Sequence, residues 1–108
     1  MRHTDRDVLR MAGHLLEDPK RRVMASLVAN AEGVSLNSVT EPEACRWCLV
    51  GAIAACREVL LGDNTPVLSR GGGRIFALAR RHLDVGDLVV AWVLRENQEE
   101  IVKRLKAA

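Results

Sequence analysis

The strongest constraint on the fold is the stretch from Ala44 to Leu61, where Arg46, Arg57 and Glu58 are the only charged interruptions. A helix that is apolar almost all round has no face to offer to water, so it belongs at the centre of the molecule with other elements wrapped around it. Within it, Gly51, Ala52 and Ala55 let neighbours approach closely. Thr40-Glu41-Pro42-Glu43 ahead of it reads as a capping box with proline in the first turn, and Gly62 behind it reads as a C-terminal stop. The expected helix runs over 43–61.

The elements around this pillar follow from the same rules. Thr4 and Asp7 form a capping-box start, after which Val8, Met11, Ala12, Leu15 and Leu16 share one side of a helix and Arg6, Arg10, His14 and Glu17 the other. Asp18-Pro19 ends it, so the helix covers 5–17. The segment 20–40 is less decided. Val23 to Val28 is apolar and partly β-branched, Asn30-Ala31-Glu32-Gly33 reads as a turn, and Val34-Ser35-Leu36 alternates like a strand. A helix from Pro19 competes with a small hairpin, and the reading leans to an extended excursion.

After a loop from Gly62 to Gly73, a helix over 74–83 turns Ile75, Phe76, Leu78, Ala79 and Leu83 inward. Asp87 caps a short helix through Leu88 to Trp92. Asn97 with Glu100 opens the last helix, whose inner residues are Ile101, Val102 and Leu105. The fold class is thus mainly α: a compact bundle of four to five helices around a central apolar helix, with a small β-hairpin near 23–36. With 108 residues and no break in composition, the chain reads as a single domain over 1–108.

Aromatic residues are only 3% of the chain, against 48% hydrophobic residues in all, so the core is aliphatic and each aromatic matters. Trp47 and Trp92 are read as anchors of that core, with Cys48 and Gly51 as packing residues beside them.

Most routes to chemistry close on inspection. Cys45-Arg46-Trp47-Cys48 has the spacing of a redox or zinc motif, but no βαβ setting precedes it. On one helix Cys48 and Cys56 lie about 12 Å apart, too far for one tetrahedral zinc, and His3, His14 or His82 would have to complete the set. His82 falls on the apolar side of its helix with no serine or carboxylate pattern around it, which fits a half-buried, satisfied histidine. The reading is a non-enzyme with no catalytic residues, no metal and no cofactor.

Binding is easier to support. Ser69-Arg70-Gly71-Gly72-Gly73-Arg74 can cradle an anion at a helix start, although it lacks the Lys-Ser/Thr ending of a phosphate loop. Arg74, Arg80 and Arg81 are placed on an outward helix side, and Lys20-Arg21-Arg22 and Arg6/Arg10 form further basic clusters. Arginine faces suit acidic proteins, phosphates or nucleic acid. Arg70, Arg74, Arg80 and Arg81 are therefore the candidate binding residues. The net charge of +2 is too even for a dedicated nucleic-acid binder, so nucleic acid is not favoured.

No apolar run is long enough to span a bilayer and no signal-peptide core is present, which points to a reducing cytoplasm and three free thiols, and gives no membrane partner.

Ala44-Cys45-Arg46-Trp47-Cys48-Leu49-Val50-Gly51-Ala52-Ile53 resembles the central helix of a family of small uncharacterised proteins of actinobacteria, other bacteria and their phages. Its pattern joins an aromatic-Cys pair to Gly-Ala-aliphatic. Ala29-Asn30-Ala31-Glu32-Gly33 is similar to that family's upstream Ala-rich stretch. Trp92, Asn97, Glu100, Ile101 and Lys106-Ala107 resemble its C-terminal helix, while Val93-Leu94 stands where the family has Asn-Asp. The resemblance implies a helical domain without an assigned reaction and, through the phage association, an accessory binding role.

The functional expectation is a non-enzymatic accessory protein that binds another protein, in its most concrete form a phage or mobile-element inhibitor of a host or defence component. A nucleotide or phosphorylated small molecule on the Gly71-Gly72-Gly73 loop is the alternative ligand, with weak DNA binding through Arg80-Arg81 and Lys20-Arg21-Arg22 behind it. A homodimer seam is also open.

Overall fold

The computed structural model describes residues 3–24, 26–67 and 73–108. Among them the helices are α1 (Asp5–Leu15), α2 (Leu49–Leu61), α3 (Arg74–Leu83), α4 (Leu88–Val93) and α5 (Arg95–Lys106). A two-residue antiparallel ladder joins β1 (Val28–Ala29) to β2 (Arg46–Trp47). The protein is a helical bundle with a small β element, as its hydrophobic periodicity predicts.

Local rules explain most of the boundaries. The α1 capping box is present: the Thr4 hydroxyl accepts from the Asp7 amide and the Asp7 carboxylate accepts from the Thr4 amide. α1 ends at Leu15, two residues short of the expected 17, and Asp18 then caps a separate 3-10 turn, Pro19–Arg21. Gly62 closes α2 in the left-handed conformation at φ 67°. The Asp87 carboxylate accepts from the amides of Val89 and Val90 at the start of α4.

The extended excursion expected within 20–40 is present from Val28 to Leu36, and its turn is the predicted one. The Asn30 side-chain oxygen accepts from the amides of Glu32 and Val34, and the Leu36 amide donates to the Val28 carbonyl. β1 therefore pairs with the returning chain at Ser35 on one side and with β2 on the other.

Two expected helix starts are corrected. The central helix begins at Leu49 with Cys48 as its cap, not at Glu43. The Thr40 hydroxyl, expected to cap it, donates instead to the Glu58 carboxylate. The Cys45 amide donates to the Ala29 carbonyl and the Cys48 amide to the Leu27 carbonyl. Pairing with the chain around β1 thus holds 45–48 extended and overrides the local helix signal.

The last helix starts at Arg95, two residues before Asn97, and Leu94 provides no side-chain cap. Its first turn is instead fastened by buried Gln98, whose amide donates to the Trp92 carbonyl at 2.9 Å.

The core forms one cluster in which α2 is central: Leu49 through Arg57 is buried without a break. α1 packs against both α2 and α5. The expected pillar is present, six residues shorter than 43–61.

Candidate binding surface

Each of the two tryptophans holds one end of the excursion. Trp92 on α4 is fully buried and its indole N–H donates to the Val23 carbonyl at 2.9 Å. Trp47 does not lie in the central helix. It sits half-buried on β2, its indole N–H donating to the Val39 carbonyl at 2.9 Å, so it pins the excursion rather than filling the pillar.

The cysteines are free thiols. Cys48 is buried at the start of α2, and its sulfur accepts from the Gly51 amide at 3.2 Å. Burial pushes its thiol up despite the neighbouring amides, the opposite of what a redox thiol at a helix start needs. Burial alone pushes Cys56 up to about 12. Among the described residues, no group of three or more His, Cys, Asp or Glu side chains is placed to hold a metal ion. His82 is half-buried, with Nε2 donating to the Arg104 carbonyl at 2.7 Å.

The basic clusters disperse once folded. Arg22 has only 8% of its side chain exposed. It donates to the Leu16 and Glu17 carbonyls and to the Glu99 carboxylate, and it lies over the Trp92 ring. Arg10 pairs with Asp7 and donates to the main-chain oxygen of Ala108. Arg74 holds Asp5 of α1 with two contacts, at 2.7 and 3.3 Å. These three arginines join elements of the bundle.

Arg70, with Gly71 and Gly72, lies outside the described residues. Arg81 is exposed on α3, whereas Arg80 is half-buried and lines a notch towards α4. The structure thus turns Arg74 to α1 and Arg80 to α4.

The notch has a volume of about 220 Å³. Val50, Val67, Phe76, Leu88 and Val89 make its apolar wall, and Arg80 and Asp87 complete its lining.

α4 is the element that composition alone underrates. Leu88-Val89-Val90-Ala91-Trp92-Val93-Leu94 is a run of seven apolar residues. Three of them, Leu88, Ala91 and Trp92, face the core. The other four remain in water: Val89 is 55% exposed, Val90 58%, Val93 43% and Leu94 46%. At 100° per residue Val89, Val90 and Val93 fall on the side of α4 opposite Leu88, Ala91 and Trp92, and the exposed cap residue Leu94 follows them, so the outer side of α4 is aliphatic. A surface helix normally turns charged groups outward, and a clustered apolar face of this kind marks an interaction site. The signal was present in the sequence as a short helix with no polar side, although Val89, Val90, Val93 and Leu94 were not among the candidate binding residues.

A second hollow, of about 400 Å³, lies between the 37–39 turn, α2 and the loop after it. Arg57 borders it with only 4% of its surface exposed, donating to the Thr65 carbonyl, lying 3.9 Å from the Asp63 carboxylate and stacking over Phe76. Two hydrogen bonds from Thr65, more than the Arg57 charge, hold the Asp63 carboxyl below its ordinary value. Arg57 was read from the sequence only as an interruption of the pillar. Its signal was the cost of a charge on an otherwise buried helix.

No helix among the described residues is long and apolar enough to cross a membrane. No protein-family model, curated protein or solved structure matches the chain.

Proposed function

We propose that this chain is a non-enzymatic accessory protein of the cytoplasm that works by binding another protein through the outer face of α4. The observation that carries this reading is the row Val89, Val90, Val93 and Leu94, four aliphatic side chains kept in water by a helix and its C-terminal cap, the other side of that helix being core. Leaving such a row exposed costs solubility and raises the risk of aggregation, and a partner that covers it removes both. The resemblance to phage-associated bacterial proteins makes an inhibitor of a host or defence component the most concrete version.

The test is capture from a bacterial lysate with three proteins in parallel. Wild type and Val59→Asp, which changes an exposed valine on α2, retain the same saturable partner, and Val90→Asp loses it. Recovery of no saturable partner, or its retention by Val90→Asp, overturns the reading.

A second reading rests on the 400 Å³ hollow bordered by Arg57, which lies within the size range of small-molecule sites. Glu58 and Asp63 share its wall, so a ligand there meets both charges and a highly phosphorylated one is opposed by two carboxylates. Calorimetry with nucleotides and phosphorylated metabolites separates this reading from the first, because α4 substitutions leave it untouched.

A further inference from the structure

We infer that the occupant of the α4 face is a short acidic–hydrophobic segment of the partner, with one large aliphatic or aromatic side chain seated in the notch beside Val89 and a carboxylate next to it paired with Arg80. The inference rests on the protein-binding reading above and specifies its partner.

The notch supplies the first half. At about 220 Å³ it falls below the roughly 300–1,000 Å³ of small-molecule sites. It is apolar on the sides formed by Val50, Phe76 and Leu88, and it opens beside the exposed valines of α4, since Val89 belongs to both. A hollow of this size continuous with an aliphatic ridge suits a single anchoring side chain, the usual core of a protein–peptide contact.

Charge supplies the second half. Arg80 lines the notch half-buried and forms no ion pair among the described residues. A guanidinium held against apolar side chains loses part of its hydration, which strengthens its pairing with an arriving carboxylate. Asp87 is the opposing charge at the same notch. Its carboxylate is already engaged by the Val89 and Val90 amides at 2.8 and 3.1 Å, where it offsets the positive end of α4. Arg95, exposed and next to Leu94 in the chain, carries no ion pair among the described residues either, and exposed Glu96 follows it. The surroundings of the ridge therefore favour an acidic visitor.

A second copy of the chain fits less well. Six helical residues span only about 9 Å, so the ridge cannot by itself supply the ~800 Å² per partner of a stable interface. A two-fold contact would also bring two arginine-rimmed faces together.

The test is selection from a random twelve-residue peptide library displayed against the full chain, followed by affinity measurement on a synthetic selected peptide. Selected peptides are expected to carry Leu, Ile, Phe or Trp with Asp or Glu within four positions. Arg80→Glu is expected to weaken the peptide by at least about tenfold, and exchanging the peptide's acid for lysine is expected to restore binding to Arg80→Glu. Circular dichroism and the melting temperature confirm that this variant is folded, and Arg80→Gln gives an intermediate loss.

Failure to enrich any peptide, enrichment without acidic residues, or indifference to Arg80→Glu overturns the inference. Sedimentation showing a micromolar dimer that Val90→Asp dissolves also overturns it, assigning the ridge to a second copy. If lysate capture still depends on Val90 when the peptides show no acidic preference, the protein-binding reading survives and only the Arg80 pairing falls.

Discussion

Gly51 lies directly against the main-chain carbonyl of Leu27: a Cβ at position 51 would stand 1.8 Å from that oxygen. The same oxygen accepts from the Cys48 amide, so the first turn of α2 is pressed onto the excursion that runs into β1. Backbone on both sides leaves nothing flexible to give way. Gly51→Ala is therefore expected to cost more than about 3 kcal/mol, beyond ordinary overpacking. Gly13, where α1 meets α5, would place its Cβ 2.8–2.9 Å from Lys106 and Leu105, partly against movable side-chain atoms. Gly13→Ala is expected to cost about 1–3 kcal/mol. Urea denaturation of both variants checks the order; equal losses would show that the Leu27 contact is not special.

Arg21 and Arg22, neighbours in one basic cluster of the sequence, are expected to behave differently. Arg22 is nearly buried and joins the end of α1, through two carbonyls, to Glu99 of α5. Arg22→Ala leaves those acceptors without their donor and strips packing from the Trp92 ring, an expected loss of about 2–3 kcal/mol. Arg21 is exposed, and Arg21→Ala is expected to stay within about 0.5 kcal/mol. Thermal and urea melts of the pair decide whether the cluster is a bolt with an idle neighbour or a uniform basic patch.

The thiols give a prediction with a definite sign. Cys48 and Cys56 are buried acids whose folded pKa is raised, Cys56 to about 12 from an ordinary value near 9. The unfolded chain thus releases these protons first, so stability is full below about pH 9 and falls as pH rises towards 12. Denaturant melts between pH 8 and 11 are expected to show that decline, lessened in Cys56→Ala relative to its own stability at neutral pH. At neutral pH an aromatic disulfide reagent is expected to modify half-buried Cys45 first and to reach Cys48 and Cys56 only on unfolding. Rapid modification of all three in the folded protein would contradict their placement.

How far the sequence could be read depended on whether each signal was local. Thr4 and Asp7 cap α1 because both members of the box lie within one turn, and α3 spans the predicted 74–83 for the same reason: its apolar stripe and the turn after it are self-contained. Thr40 and Glu43 carry a similar signature and fail, because the Thr40 hydroxyl is engaged by Glu58 and the chain from Cys45 to Cys48 is taken by 27–29. Nothing within a window of a few residues reveals that competition. The binding surface was hidden differently. A short apolar run such as Leu88–Leu94 has the composition of buried structure, and which of its sides stays in water depends on α2 and α5 filling only the other. Of the arginines singled out, Arg80 lies beside that surface, and Arg74, 82% exposed, pairs with Asp5.

Val90→Asp is expected to leave the fold intact, since the side chain it replaces is already mostly in water. Its stability should lie within about 0.5 kcal/mol of wild type, and its solubility limit should rise. Light scattering against concentration, with melting curves alongside, measures both. A large loss of stability would mean that Val90 supports the core, and the outer face of α4 would then be no candidate surface.

Site-specific photo-crosslinking in living bacteria tests the outer face of α4 most directly. A benzophenone side chain is installed in place of Val90 and, in separate proteins, in place of exposed Val59 and Val34. The account predicts one discrete heavier adduct from position 90, containing a single partner protein, and none from 59 or 34. No adduct at position 90, or the same adduct from all three positions, would contradict it.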